Sequence, residues 1–172
     1  MMTNYEIANL SIMAASALFV SISLIYLSRQ LKLFVAAHAD NHKWNRCIET
    51  QRALGKTREI NMDALNDRFG FVNRKDPIPP NEILDAFNDD YSLQLILHKL
   101  LNFYEGLAIG VFMGIYDVEV IKAHRRGAME RTFVNFKNYI EHRRNQISKT
   151  LWTAYERLIK KWEDESLKGF DR

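Results

Sequence analysis

The stretch NFYEGLAIGVFMGIYDVEV, residues 102–120, places glycines at 106, 110 and 114, each four residues from the next. Four-residue spacing lines them along one helical stripe, an arrangement that lets two helices approach closely, often inside a membrane. Whether this stretch crosses a bilayer decides the fold. Between Glu105 and Asp117 only 11 uncharged residues remain, about 16 Å of helix or roughly half a hydrocarbon core. A span extended upstream would carry Glu105 near the membrane centre and run into His98 and Lys99, which is costly without a partner. The stretch therefore reads as a bundle helix, with Gly106, Gly110 and Gly114 as points of close helix–helix packing.

The N-terminus reads differently. Residues 7–27, IANLSIMAASALFVSISLIYL, are 21 positions without a group charged at neutral pH. As a helix they reach about 31 Å, the thickness of the hydrocarbon core. Serines and Asn9 can bond back to the helix, and Ala8, Ser11, Ala15, Ser16 and Ser23 are small enough to pack against another span. Tyr5 and Tyr26 suit the two interfaces. Glu6 precedes the run, whereas Arg29, Lys32, Lys43 and Arg46 follow it. The positive-inside rule then leaves the N-terminus outside and everything after residue 28 in the cytoplasm. Ala37-His38-Ala39 resembles a signal-peptidase site, but no basic residue leads the run and Arg29 and Lys32 intervene, so the segment reads as an uncleaved anchor.

Length and composition fit this picture. The chain has 172 residues, 47% hydrophobic and 26% charged, with 7 glycines and 3 prolines, which suits one globular domain with an appendage. The single cysteine, Cys47, excludes an internal disulfide framework. A net charge of +3 is too small to point to nucleic acid. The spacing predicts residues 1–6 outside, a transmembrane helix over 7–27, a juxtamembrane helix over 28–55 and a cytoplasmic helical domain over 56–172. Within that domain Asn81 caps a short helix to about Phe87, and Asp89 or Asp90 caps a long one from Tyr91. Gly114 ends the long helix in a left-handed turn and Asp117 caps the next. Two further helices fit about 128–146 and 148–166. Nowhere does a period of two persist, so the fold class is all-α: one N-terminal transmembrane helix followed by a cytoplasmic helical bundle.

The segments NFYEGLAIGVFMGIYDVEVI, GAMERTFVNFKNYIEHRR and LWTAYERLIKKW, in that order, resemble a bacterial domain-of-unknown-function family, number four-seven-six-zero. HKWNRCIETQRAL upstream is similar to that family's Trp-Asn-Arg segment. The likeness extends over about residues 40–165. Of the three glycines only Gly114 belongs to the family pattern. The resemblance implies an anchored helical domain and no assigned chemistry.

Several residue sets invite a site. Glu105, at the edge of an apolar helix with Asn102, Phe103 and Tyr104, suits an ion pair with Arg125, Arg126 or Arg131, because the guanidinium fork matches a carboxylate; the rival is a catalytic or ligand-binding Glu105. His38 and His42 share a helix face and could chelate a metal, but a site needs further ligands, and Cys47 lies on another face. Gly55-Lys56-Thr57 lacks the earlier glycine and strand of a phosphate loop. From 122 to 149 there are eight Lys or Arg against Glu130 and Glu141, so Lys122, Arg125, Arg126, Arg143 and Arg144 form a basic face. It reads first as a solvated helical face partly answered by the acidic segment over 56–90, next as a surface for lipid headgroups or an acidic partner and, least of all, for RNA.

The function expected from the sequence is that of a non-enzymatic, single-pass protein of the bacterial inner membrane. It associates with itself or serves as an accessory or assembly subunit of a larger membrane complex, and no cofactor is expected. The partners are the bilayer and other membrane subunits or a second copy; nucleic acid is disfavoured. The alternatives are a membrane-tethered hydrolase or an anchored sensor or defence component with a site near Glu105.

Overall fold

The computed structural model describes the backbone of residues 3–170, and the side chains among them except those of 6–8, 10–12, 58 and 167–170. Glu6, Ala8 and Ser11, named above, thus lie outside the described side chains. Six α-helices follow in order: α1 Asn4–Gly55, α2 Met62–Phe69, α3 Pro80–Asp89, α4 Tyr91–Phe112, α5 Val118–Gln146 and α6 Thr153–Phe170. A 3₁₀ turn, Lys56–Glu59, follows α1. No strand occurs among the described residues. The chain divides into two compact units between Asn45 and Arg46.

The first unit is the body of α1. Its large apolar side chains have no cover: Phe19, Leu24 and Phe34 expose 74, 61 and 69% of their surface. Because Leu18, Phe19, Val20, Ile22, Leu24 and Ile25 are all exposed, this part of the helix is apolar on every side rather than amphipathic. Ser21 and Ser23 return their hydroxyls to the carbonyls of Ala17 and Phe19, each at 2.8 Å, so these serines expose little hydrogen-bonding demand. The helix is long and apolar enough to cross a membrane.

The second unit is a helical bundle centred on α4, which lies most extensively against α6 and also meets α3 and α2. Asp90 starts α4 by accepting the Ser92 N–H at 2.8 Å, the capping chemistry its sequence position implies. Leu97, Leu100, Leu101, Tyr104 and Ala108 are fully buried along α4. By length and hydropathy alone α4 could also cross a membrane; here α2, α3 and α6 cover that apolar face. Aromatic edges tie the rest together. Phe69 of α2 meets Phe87 of α3 and Phe136 of α5 at 6.3 and 5.7 Å between centroids, and Phe87 meets Tyr139 at 5.4 Å, all edge-to-face, the favoured geometry of ring quadrupoles.

Turns confirm some local readings and revise others. Gly114 has φ 71° and Gly110 O receives the N–H of Ile115 and Tyr116 at 2.9 and 3.1 Å, a left-handed termination that glycine adopts without strain. Asp117 caps α5 through the N–H of Glu119 and Val120, at 2.9 and 3.3 Å. α3 starts at Pro80, with no capping by Asn81; proline suits the first helical position, where its missing N–H is not needed. α5 is one helix of 29 residues rather than a short helix followed by one from 128. Gly127 lies within it, since its penalty of about 1 kcal/mol is outweighed by a buried face running from Ile121 through Met129 to Phe136. α6 begins five residues later than expected, after a turn in which Leu151 N–H bonds Ser148 O at 3.2 Å.

The glycine stripe has another meaning than helix–helix packing. Gly106 is exposed with open space beside it, and so is Gly114. Only Gly110 is crowded, and by the ring of Tyr116 from the turn just beyond its own helix. The glycine that matters admits a returning side chain, not a neighbouring helix.

Candidate functional site

His98, Asn102 and Glu105 lie four and then three residues apart and share one face of α4. Each makes a bond to another part of the bundle. His98 Nε2 and the Tyr139 hydroxyl of α5 share a hydrogen bond of 2.7 Å. Asn102 Oδ1 accepts the Trp152 indole N–H at 2.8 Å. The Glu105 carboxylate accepts the backbone N–H of Ala154 at 3.1 Å and of Tyr155 at 2.7 Å.

This last contact replaces the ion pair expected of Glu105. The first backbone donors of a helix have no partner inside it, and its N-terminus carries about half a positive charge. Trp152, just before α6, cannot cap because its side chain has no acceptor; it stands in the left-handed region, φ 53°, with its indole turned to Asn102. Glu105 supplies the cap from α4 instead. The three candidate arginines do other things. Arg125 donates to Thr57 Oγ1 at 2.7 Å, Arg126 bonds Glu130 and Ser166, both at 2.6 Å, and Arg131 is exposed.

The basic surface is similarly reassigned. Lys122 pairs with Glu165 at 2.7 Å. Arg144 holds Glu156 at 2.6 Å and donates to the carbonyls of Leu151 and Trp152 at 2.7 and 3.1 Å. With Arg126 these residues stitch α5 to α6, so their charge is largely answered within the bundle. Arg143 donates to Gln146 at 3.4 Å.

Asn135 and Thr50 were not singled out by sequence reasoning, and both organise loops. Asn135 is 1% exposed; its Nδ2 donates to the carbonyls of Phe71, Arg74 and Arg131 at 3.3, 3.4 and 2.9 Å, and its backbone carbonyl receives Ile78 N–H at 2.8 Å. Together these bonds pin residues 71–78 to α5. An asparagine inside the buried run Thr132, Phe133, Phe136 was the available signal. Thr50 Oγ1 receives Asp117 N–H at 2.8 Å, and Cys47 Sγ donates to Asp117 Oδ2 at 3.5 Å.

Several titratable groups are shifted by burial. Burial, aided by the Arg143 charge, lowers the His98 pKa, so it is neutral at pH 7. Burial raises the phenols of Tyr104 and Tyr155, which excludes a phenolate at neutral pH. The Tyr104 and Thr132 hydroxyls are buried beside each other without a hydrogen bond of normal geometry. Open clefts on the bundle are lined by Gln51, Leu54, His124 and Arg125, by Phe112 and Arg157, by Arg74, Arg131 and Asn135, or by Glu141, Arg144 and Lys149. Glu105 lines none of them. In the other unit His38 and His42 stand 2.9 Å apart through Nε2, and no group of three metal-ligating side chains occurs among the described residues.

A family model described as Domain of unknown function (DUF4760) matches residues 11–162. The chain belongs to this family. The match takes in most of the apolar run of α1 and the bundle as far as Trp162, so the DUF4760 unit includes the membrane-compatible helix as well as the domain after it. No curated protein and no solved structure matches the chain.

Proposed function

We propose that this DUF4760 protein is a single-pass, membrane-anchored, non-enzymatic interaction protein, an accessory or assembly subunit of a membrane complex or a self-associating anchored module. Residues 7–27 form the span, 28–55 the juxtamembrane helix and 56–172 a cytoplasmic bundle in the bacterial inner membrane, with residues 1–6 outside. The observation that carries this reading is the α1 helix, apolar and exposed on every side through Leu27, a surface that water does not tolerate at this size. The charge step from Glu6 to Arg29, Lys32, Lys43 and Arg46 supports the orientation.

The bundle supports the non-enzymatic half. A hydrolase centred on Glu105 requires a free carboxylate in a cleft, whereas this one binds two backbone donors of α6. The test is gentle solubilisation of the full-length protein from its native membrane, followed by the mass and composition of what accompanies it. A defined complex or a homo-oligomer is expected. A monomer released without detergent would overturn the proposal.

A further inference from the structure

His38 and His42 sit on α1 beyond its apolar run, and both are exposed. Their rings meet edge-on at 4.4 Å between centroids, and the Nε2 atoms converge to 2.9 Å. Two imidazoles four residues apart on a helix can present the same nitrogen to one point, and each neutral Nε2 lone pair is a metal donor. Zinc at about 2.0–2.1 Å from each nitrogen holds tetrahedral ligand atoms about 3.3 Å apart. Opening the observed pair by a few tenths of an ångström needs only small side-chain rotations within the staggered wells. Two nitrogens are half of a closed tetrahedral set.

The same helix face offers the other half. Leu24, Ser28, Leu31, Val35, His38 and His42 succeed one another at alternating spacings of four and three, the a/d rhythm of a coiled-coil seam. A shallow groove of about 360 Å³ follows it past Leu31, Val35 and Ala39. Leu33 and Phe34 make that level apolar on other sides too, so the imidazole pair fixes which face is used. A second copy anchored in the same membrane with the same topology stands parallel to the first, and in a parallel pair equivalent a and d positions face each other. The two histidines of each chain then converge as four. His38 follows Leu27 by 11 residues, about 16 Å of helix, which leaves the site in water and open to a dissolved cation.

We infer that His38 and His42 are half of a transition-metal site matched to Zn²⁺, completed by the same two histidines of a second copy across a parallel pair of α1 helices. The inference rests on the membrane-anchored reading, which fixes the parallel orientation. Imidazole nitrogens in tetrahedral array suit zinc over calcium or magnesium, which take oxygen ligands.

The experiment uses full-length protein in detergent, stripped with a chelator and then given ZnCl₂. Light scattering reads the protein mass and elemental analysis reads bound zinc after gel filtration. The expected result is half a zinc per chain, a doubling of mass from the stripped monomer, and reversal by chelator; His38→Ala and His42→Ala each abolish both, while Asn41→Ala abolishes neither. Cobalt in place of zinc should give the intense visible absorption of a tetrahedral complex. One zinc per chain at unchanged mass, or zinc retained by the His38→Ala/His42→Ala double variant, would overturn the site. Extraction of membranes with alkaline carbonate separates the two proposals. A chain released by carbonate removes the anchor, whereas a chain retained in the membrane that binds no zinc removes the metal site alone.

Discussion

Removing the Glu105 carboxylate should loosen the start of α6, and the size of the effect follows from what the carboxylate does. It receives two backbone N–H groups, at 3.1 and 2.7 Å, from a helix N-terminus. Hydrogen bonds to a charged group contribute about 1.5–3 kcal/mol each when buried, and ordinary caps about 1 kcal/mol. Glu105 is half-buried, so water recovers part of the loss, and Glu105→Ala should cost about 2–3 kcal/mol by the same figures. Glu105→Gln keeps one acceptor but turns an amide N–H₂ toward the second donor and should cost about 1–2 kcal/mol. For a unit of the size of residues 46–172, each kcal/mol lowers Tm by about 4 °C, so the alanine variant should melt about 10 °C early. Circular dichroism of the detergent-solubilised protein measures this, and amide exchange should place the loss at Ala154 and Tyr155. A double-mutant cycle with Arg131→Ala should be additive to within about 0.5 kcal/mol, because the two side chains make no ion pair. Both Glu105 variants melting like the wild type, or strong coupling to Arg131, would refute the capping argument.

Gly110→Ala should destabilise the bundle by about 1–3 kcal/mol, because its Cβ collides with the Tyr116 ring; Tyr116→Ala should restore part of it in the double variant, and unchanged melting of Gly110→Ala would remove the contact from consideration. Gly106→Ala, facing open space in a helix, should instead stabilise by up to about 1 kcal/mol, measured in the same melts. Asn135→Leu should cost about 2–3 kcal/mol through the lost loop bonds and should speed amide exchange at Ile78 before that of α4; equal exchange would show that the loop is held otherwise. The hydrogen bond from Lys160, against the opposing effect of burial, and then the Arg144 contact hold the Glu156 pKa below its ordinary value. A depressed folded-state pKa means that this stabilisation is complete at neutral pH and is lost as pH falls through the acid range below about 4. Glu156→Gln should therefore narrow the gap to wild type on acidification, and a gap independent of pH would contradict the assignment.

What was legible in the sequence was set by neighbours along the chain. Asp90, Gly114 and Asp117 behave as read because a cap or a left-handed turn is chosen by three or four consecutive residues. The apolar run of α1 was legible for the same reason. α2 was not, since its eight residues depend on Leu65 and Phe69 finding a core supplied by α3, α4 and α5. The helix start read at about 128 failed because the local penalty at Gly127 yields to a long buried face. Glu105 drew notice as a carboxylate beside an apolar helix, but its partner lies about fifty residues away and is backbone, which no pattern of side chains reveals. Arg126 and Arg144 looked like a free basic face because their partners are carbonyls and hydroxyls as well as carboxylates.

The dependence of α6 on Glu105 also orders events during synthesis. The acceptor precedes its donors by 49 and 50 residues, so α4 leaves the ribosome well before the helix that covers it, and α6 is the last of the six to emerge. Until then Tyr104, fully buried in the finished bundle with its ring 5.3 Å from that of Tyr155, lacks its α6 cover, and α4 is itself long and apolar enough to cross a bilayer. If α1 holds the nascent chain at a membrane, as proposed above, the chain carries a second membrane-compatible segment until α6 arrives. The carboxylate on that segment opposes its insertion and later seats the helix that closes the bundle over it.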